Sequence, residues 1–293
     1  MSEYHSPYTP SDHWLRGNVH AHTTCGRFMD ISESGRMYAR LGYDFLAVTD
    51  HNKTCTPAQA GGWQQAAGLV VVPGEENGGT DHMIELGVHD VTPTPGDDYT
   101  QRAAALRDAG GFVIACHPQE YPHGDDNVRK AADVLHAIEI YNGLRELRGT
   151  DETRNVALWD ELLTQGKRLF AVATDDFHCQ YTSPGHGWVN VQTPADHAGE
   201  VTWETIVEQL KQGAFYASTG PGFDKIHLSN GQLHVKVDAR TKHIRVIGPG
   251  SETLTQTDDG ELTWSTPKGL PFFRVEAHRG IKRAWSQPFF AEK

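Results

Sequence analysis

The sequence predicts an α/β fold followed by a smaller antiparallel β region, and three observations lead there. Short apolar runs alternate with amphipathic stretches over the first two-thirds of the chain, as they do when helices cover both faces of a sheet. Glycines stand directly after the amphipathic stretches, where a left-handed helix end is wanted. Beyond Gly220, Pro221 and Gly222 the texture changes to strand-like alternation broken by turn residues.

Each element has a local reason. Apolar runs at residues 18–22, 45–49, 69–73, 83–88, 112–116, 137–141 and 169–173 are the expected strands, most of them apolar throughout as in a parallel sheet. Helices are expected over 32–41, 99–109 and 152–165, stopped by Gly42, Gly110 and Gly166. A last helix at 206–211 ends at Gly213 and leads into a strand at 214–218. In the tail, residues 225–228, 233–237, 243–247 and 272–278 alternate as half-buried strands do. Turns fall at Ser229, Asn230 and Gly231, and at Asp258, Asp259 and Gly260. The expected division is a barrel or open doubly wound sheet over 1–220, and a small β-rich domain or cap over 221–293.

A chain of 293 residues with 38% hydrophobic content can build one large core, or a large domain plus a small one. A net charge of −12 argues against a stable nucleic-acid partner, which needs a basic surface. It leaves a phosphate-bearing small molecule open, because bound cations invert the local field. Residues 1–10 lack a basic segment followed by an apolar one, and the longest apolar runs are far too short to span a bilayer. Cys25, Cys55, Cys116 and Cys179 are widely scattered, which excludes a close disulfide framework and points to the cytoplasm. Histidine is the unusual component, with 17 residues against 4 cysteines and 4 methionines.

The informative fact is where the histidines and carboxylates fall. His20 and His22 end the first expected strand, and alternation puts both side chains on one face. Asp50 and His51 follow the second strand, and Glu75 and Glu76 the third. His117 follows the run at 112–116, and Asp175, Asp176 and His178 follow the run at 169–173. The carboxyl ends of parallel strands converge on one rim, so five strands deliver imidazole or carboxylate to one place. That donor set suits Zn²⁺, Mn²⁺ or Fe²⁺. Taken singly, each has a plainer explanation: Asp50 as a helix cap, Glu75 and Glu76 as solvated charge, His117 as part of a turn.

At these residues the sequence resembles the PHP superfamily, the polymerase and histidinol phosphatase domain. The matching stretches are residues 17–23 (GNVHAHT), 47–52 (AVTDHN), 72–76 (VPGEE), 115–118 (ACHP), 138–143 (IEIYNG) and 173–178 (ATDDFH). In the tail, residues 213–221 (GAFYASTGP) and 283–288 (RAWSQP) resemble the branch grouped with carbaryl and carbofuran hydrolases. The resemblance implies a distorted seven-stranded (β/α) barrel with two or three divalent ions, usually hydrolysing phosphate esters. It implies that His20, His22, Glu76 and Asp176 hold one ion, that Glu76 bridges to a second also held by His117, and that His51 and His178 belong to a third. Asp50 stands beside His51 in the same matched stretch and joins the expected ligands. Asp175 is left as support or an alternative ligand.

Two departures from the family pattern stand out. The family carries an Asp or His a few residues after the first histidine pair; residues 23–28 (TTCGRF) have neither, leaving Cys25 or Asp30 as substitutes. Where the family often has another second-ion histidine, this chain reads Glu139, Ile140, Tyr141, Asn142, so Glu139 is a ligand or a structural support. His82, ahead of an apolar run, resembles the histidine of a Gly-His pair in several family members and is a candidate to touch metal or substrate.

The expected reaction is hydrolysis by a water that two cations acidify to hydroxide near neutral pH. Asp176, His178 and His51 are the candidates for protonating a leaving group. Lys53, Arg145 and Arg148 are candidates for gripping an anionic phosphate, alongside His82 as a substrate contact. A small phosphate mono- or diester is the expected substrate, and a carbamate or carboxylic ester the alternative.

Overall fold

Most apolar runs become strands and the polar intervals between them become helices. The computed structural model describes residues 4–23, 30–79, 81–88, 93–94, 97–149, 153–179, 181–193 and 201–292. The strands of the first part are β1 (Tyr4–His5), β2 (Trp14–Asn18), β3 (Phe45–Val48), β4 (Val70–Gly78), β5 (His82–Leu86), β6 (Phe112–Ala115), β7 (Ala137–Asn142), β8 (Phe170–Thr174), β9 (Trp188–Gln192) and β10 (Phe215–Ser218). The helices are α1 (Ile31–Arg40), α2 (Pro57–Ala67), α3 (Tyr99–Asp108), α4 (Gly124–Ala131), α5 (Gly143–Leu147), α6 (Thr153–Thr164) and α7 (Trp203–Gln212). The tail adds β11 (Phe223–Ser229), β12 (Gln232–Val237), β13 (His243–Ile247), β14 (Thr253–Thr257), β15 (Glu261–Ser265), β16 (Phe272–Arg279), β17 (Lys282–Ser286) and β18 (Phe289–Ala291). Among the described residues no helix is long and apolar enough to cross a membrane.

The helix ends follow the sequence signals. Asp30 caps α1 by accepting from the backbone N–H of Glu33, and Gly42, Gly110, Gly166 and Gly213 all take positive φ. Helix α2 has no strong apolar stripe, being rich in Ala, Gly and Gln. A capping box between Thr56 and Gln59, with Pro57 in the first turn, starts it instead.

The sheet corrects the expectation of a seven-stranded barrel. One mixed sheet of 15 strands runs in the order β1-β18-β16-β17-β10-β9-β2-β3-β4-β5-β6-β7-β8, with β13 and β14 branching from β16. Pairing is parallel for β2–β3, β3–β4, β6–β7 and β7–β8, but β5 is antiparallel to both neighbours and β9 is antiparallel to β2. The reason for β5 is the connection. Residues 79–81 join it to β4, and so short a link permits a reversal but no crossover. The same pairing extends β4 past its expected end, so that Glu75 and Glu76 lie within the strand opposite Glu85 and Ile84. Conversely β2 stops at Asn18, ahead of the histidine pair.

The curled part of the sheet encloses an apolar core that includes Val19, Phe45, Val72, Ile84, Ile114 and Val172. Strand β10 pairs with β9 on one side and with β17 on the other, so hydrogen bonding continues through residue 220 into the tail. The two stretches that resemble the carbaryl branch are thereby adjacent antiparallel strands, with Ala217 opposite Trp285. Only β11, β12 and β15 form a separate sheet of 3 strands, which packs Ile226, Leu233 and Val235 against Ile244, Val246 and Phe273. The side-chain amide of Gln287 stands in for a strand at β8, accepting from Ala171 N and donating to Ala171 O, both at 2.8 Å.

A buried ion cluster ties the tail to the first part. Arg274 on β16 donates to both carboxylate oxygens of Asp160 on α6 at 2.9 Å, and to Glu276 at 2.6 Å. Burial opposes charge on Glu276, yet Arg274 and His278 outweigh it and hold its carboxyl down to about 2.

Removing Arg274 alone leaves buried Asp160 without a cation and Glu276 with His278 in place of the guanidinium. Arg274→Met is expected to lose about 3–5 kcal/mol in denaturant unfolding, and the triple change with Asp160→Asn and Glu276→Gln to recover much of it. The Glu276 contribution is complete above the ordinary carboxyl value of 4.5 and lost as pH falls toward 2. Melts across that range should therefore fall more steeply for the parent than for Glu276→Gln.

Candidate metal centre

Past the end of β2 the chain bends at Val19, and Ala21 then makes a parallel bridge to Phe177. The residues on either side of Ala21, His20 and His22, therefore turn the same way, with their Nε2 atoms 3.2 Å apart. Two carboxylates meet them. Glu76 comes from the middle of β4 and Asp176 from just beyond β8, where its φ of +48 turns the side chain inward. A positive φ is costly for a residue other than glycine and concentrates at functional sites.

The four donor atoms mark out a coordination sphere. His20 Nε2 lies 3.5 Å from Glu76 Oε2 and 3.2 Å from Asp176 Oδ1; His22 Nε2 lies 3.2 and 3.4 Å from the same two oxygens. A tetrahedral ion with ligand bonds of about 2.0–2.2 Å has edges of about 3.3–3.6 Å between its ligands. Glu76 Oε2 and Asp176 Oδ1 are buried and accept no hydrogen bond, although both point at the imidazoles. Buried carboxylate oxygens that accept no well-formed hydrogen bond and face two imidazole nitrogens are a fit for a divalent cation.

The other oxygen of Glu76 faces a second set. Its Oε1 lies 2.7 Å from His82 Nδ1 and 3.1 Å from His117 Nε2. His51 Nδ1 lies 2.9 Å from Oε2, where an isolated bridge holds His51 beside Glu76. A third group, His22, His51 and His178, keeps its ligand atoms within 4.8 Å of one another. His117 has a φ of +23, so a second donor residue sits on strained backbone.

Supporting residues fix these donors. Glu139, on β7, accepts from His20 Nδ1 at 2.9 Å and from the His117 backbone N–H at 2.8 Å. Glu139 itself joins none of the ligand groups found among the described residues. Asn142 donates to Glu139 at 2.9 Å and to Asp176 Oδ2 at 3.1 Å. Asp175 turns away from the cluster and accepts from Tyr38 Oη and from the N–H groups of Gly185, His186 and Gly187. The close approach at Gly187 requires glycine, since a Cβ would lie 2.6 Å from Thr174 O. Glu75 faces the other side of β4 and bonds Thr54 and Asn77.

Burial opposes charge on Glu76 and Asp176, but His20 and the other imidazoles hold both carboxyls well below the usual range. Burial alone would lower His20, whereas Asp176, Glu139 and Glu76 outweigh it and raise that imidazole well above its ordinary value. Without a cation the buried carboxylates draw protons onto the imidazoles, and that is the positive charge a cation would replace.

The remaining expected residues divide. Asp50 is drawn off by Thr23, whose N–H and Oγ1 each donate to it at 2.8 Å, and it joins none of the ligand groups found among the described residues. Asp30 is exposed and spent on capping α1, while Cys25 lies outside the described residues. Arg145 reaches the edge of the centre, 3.8 Å from Asp176 Oδ2, and is paired with Glu120. Lys53 and Arg148 are exposed. Residues that the sequence did not single out are Asn142, Glu120 and Tyr121. Glu120 Oε2 lies 3.2 Å from His117 Nδ1, and the Tyr121 ring packs on His82 and His117 at 5.3 and 5.7 Å. The three-residue spacing from His117 to Glu120 was the one available signal.

No family model and no curated protein matches the chain. Solved structures do. A two-domain protein from Bacteroides vulgatus, described as containing a predicted PHP-like metal-dependent phosphoesterase, is 14% identical with a TM-score of 0.51, covering 97% of this chain and 96% of that one. An amidohydrolase from Chromobacterium violaceum, solved with bound sulfate and no metal, is 14% identical with a TM-score of 0.45, covering 61% of this chain and 92% of that one. A lesion-specific endonuclease from Pyrococcus furiosus is 11% identical with a TM-score of 0.42, covering 68% and 56%. The first of these establishes a shared fold across nearly the whole chain.

Glu76→Gln turns one oxygen of the carboxylate that both donor sets share into an amide donor. Zinc titration with elemental analysis should show at least one equivalent fewer than the parent binds, with the fold intact by circular dichroism. An unchanged stoichiometry would count against a shared carboxylate.

Proposed function

We propose that the chain is a metal-dependent hydrolase, and that its substrate is a small phosphate mono- or diester. The observation that carries this is the near-tetrahedral set of His20, His22, Glu76 and Asp176, with Glu76 shared toward His82 and His117. Divalent ions held there supply Lewis acidity and a low pKa for coordinated water. The description of the Bacteroides vulgatus protein supports a phosphoester as the bond attacked.

The chain's own groups divide the remaining work. His20, His22 and His117 are buried, whereas His51, His178 and His82 expose 44%, 17% and 16% of their side chains. Substrate therefore enters on the side of these three. His178, whose Nδ1 lies 3.3 Å from Asp176 Oδ1, and His51 are placed to hand a proton to a departing oxygen. Arg145 is placed at the edge of the centre to hold an anionic group, and exposed Lys53 is a second cation for that purpose.

A carbamate or carboxylic ester is the alternative substrate. The tie of Arg145 to Glu120 favours it, because that guanidinium is partly neutralised before an anion arrives.

The zinc- and manganese-loaded chain should release p-nitrophenol from the phosphate monoester or diester, and chelation should abolish the release. Turnover of a naphthyl carbamate alone would overturn the phosphoester assignment. If phosphate is the group held, Arg145→Ala should raise KM about tenfold or more, the order of one charge-assisted hydrogen bond. For the carbamate, KM should be nearly unchanged.

A further inference from the structure

We infer that Glu139 is a positioning residue that fixes the tautomer of His20 and locks the two donor sets to each other. The proposal rests on the metal-centre assignment above and concerns a residue that ligates nothing itself.

Glu139 is fully buried, and four donors converge on its two oxygens. Oε1 accepts from His20 Nδ1 at 2.9 Å and from Thr174 Oγ1; Oε2 accepts from His117 N at 2.8 Å and Asn142 Nδ2 at 2.9 Å. An ionised carboxylate only accepts, so His20 Nδ1 must carry a proton, and with a cation bound the lone pair is left to Nε2. That lone pair is the one aimed at Glu76 and Asp176. Carboxylate–histidine pairs of this kind orient a ligand and raise its basicity.

The other oxygen acts on the second set. His117 projects from strained backbone, and its N–H is held by Glu139 rather than by a ladder partner. Asn142 carries the same constraint to Asp176. One carboxylate thus holds a donor of the first set through the imidazole, another through Asn142, and a donor of the second set through the backbone.

Glutamine is the discriminating substitution. It keeps the size and one acceptor but turns one oxygen into a donor. Either His20 Nδ1–H or the His117 N–H, with its companion, then faces an N–H. The full chain, stripped by chelation, is titrated with Zn²⁺ against a chromophoric competitor, for the parent and for Glu139→Gln. Folding of the variant is checked by circular dichroism. The expected result is an affinity for the tightest zinc lower by about 10–100-fold. In the zinc-loaded parent, long-range ¹H–¹⁵N correlation should find a slowly exchanging proton on His20 Nδ1, and this measurement decides the matter even if the variant does not fold. Equal zinc affinity in a folded variant, or a His20 Nδ1 without a proton, overturns the proposal while leaving the metal centre standing. A parent chain that binds no zinc overturns both.

Discussion

Three carboxylates, Glu76, Asp176 and Glu139, are buried together against His20, His22 and His117, and the surrounding structure is organised by the need to hold them there. An isolated charge in such a place costs several kcal/mol. It is tolerated only when each oxygen meets a donor or a cation. Glu139 meets four donors. Glu76 and Asp176 each keep an oxygen that accepts no well-formed hydrogen bond and has imidazole nitrogens about it, and those two oxygens mark where a cation fits.

That constraint reaches outward through the scaffold. Left-handed backbone at His117 and Asp176 turns donors inward at strand ends and persists because the neighbours over-determine it. Asp175 gathers N–H groups from residues 185–187 and the hydroxyl of Tyr38, fixing the loop after β8 and the helix α1 with one carboxylate. Arg102, itself buried, ties Asn77 and Asp81 beside His82. Further off, Arg274 with Asp160 and Glu276 joins the tail to α6, so the sheet that carries the donors is braced on its far side.

Burial also grades the centre. The donors of the first set lie beneath the surface, and the imidazoles of His51, His82 and His178 are more exposed. A dry floor strengthens electrostatic interactions, while an open rim leaves groups free to move protons.

The sequence by itself placed β3, β5, β6, β7, β8, β10, α1, α3 and α6 to within a residue or two, because apolar runs and glycine stops are local signals; it misplaced β2, ended β4 early and left β1, β9, α2, α4 and α5 unmarked. It also singled out His20, His22, His51, Glu76, His117, Asp176 and His178, which the structure brings close together, and Asp50, which joins none of the ligand groups found among the described residues. What it could not decide was direction and partnership. The reversal of β5 depends on a short link, the continuity of the sheet on pairing between β10 and β17, and α2 on a capping box without an apolar stripe. Asp50 and Asp176 look alike as carboxylates beside apolar runs. Only the tertiary structure gives one to Thr23 and aims the other at the histidine pair, because hydrogen-bond partners distant in sequence decide where a carboxylate points.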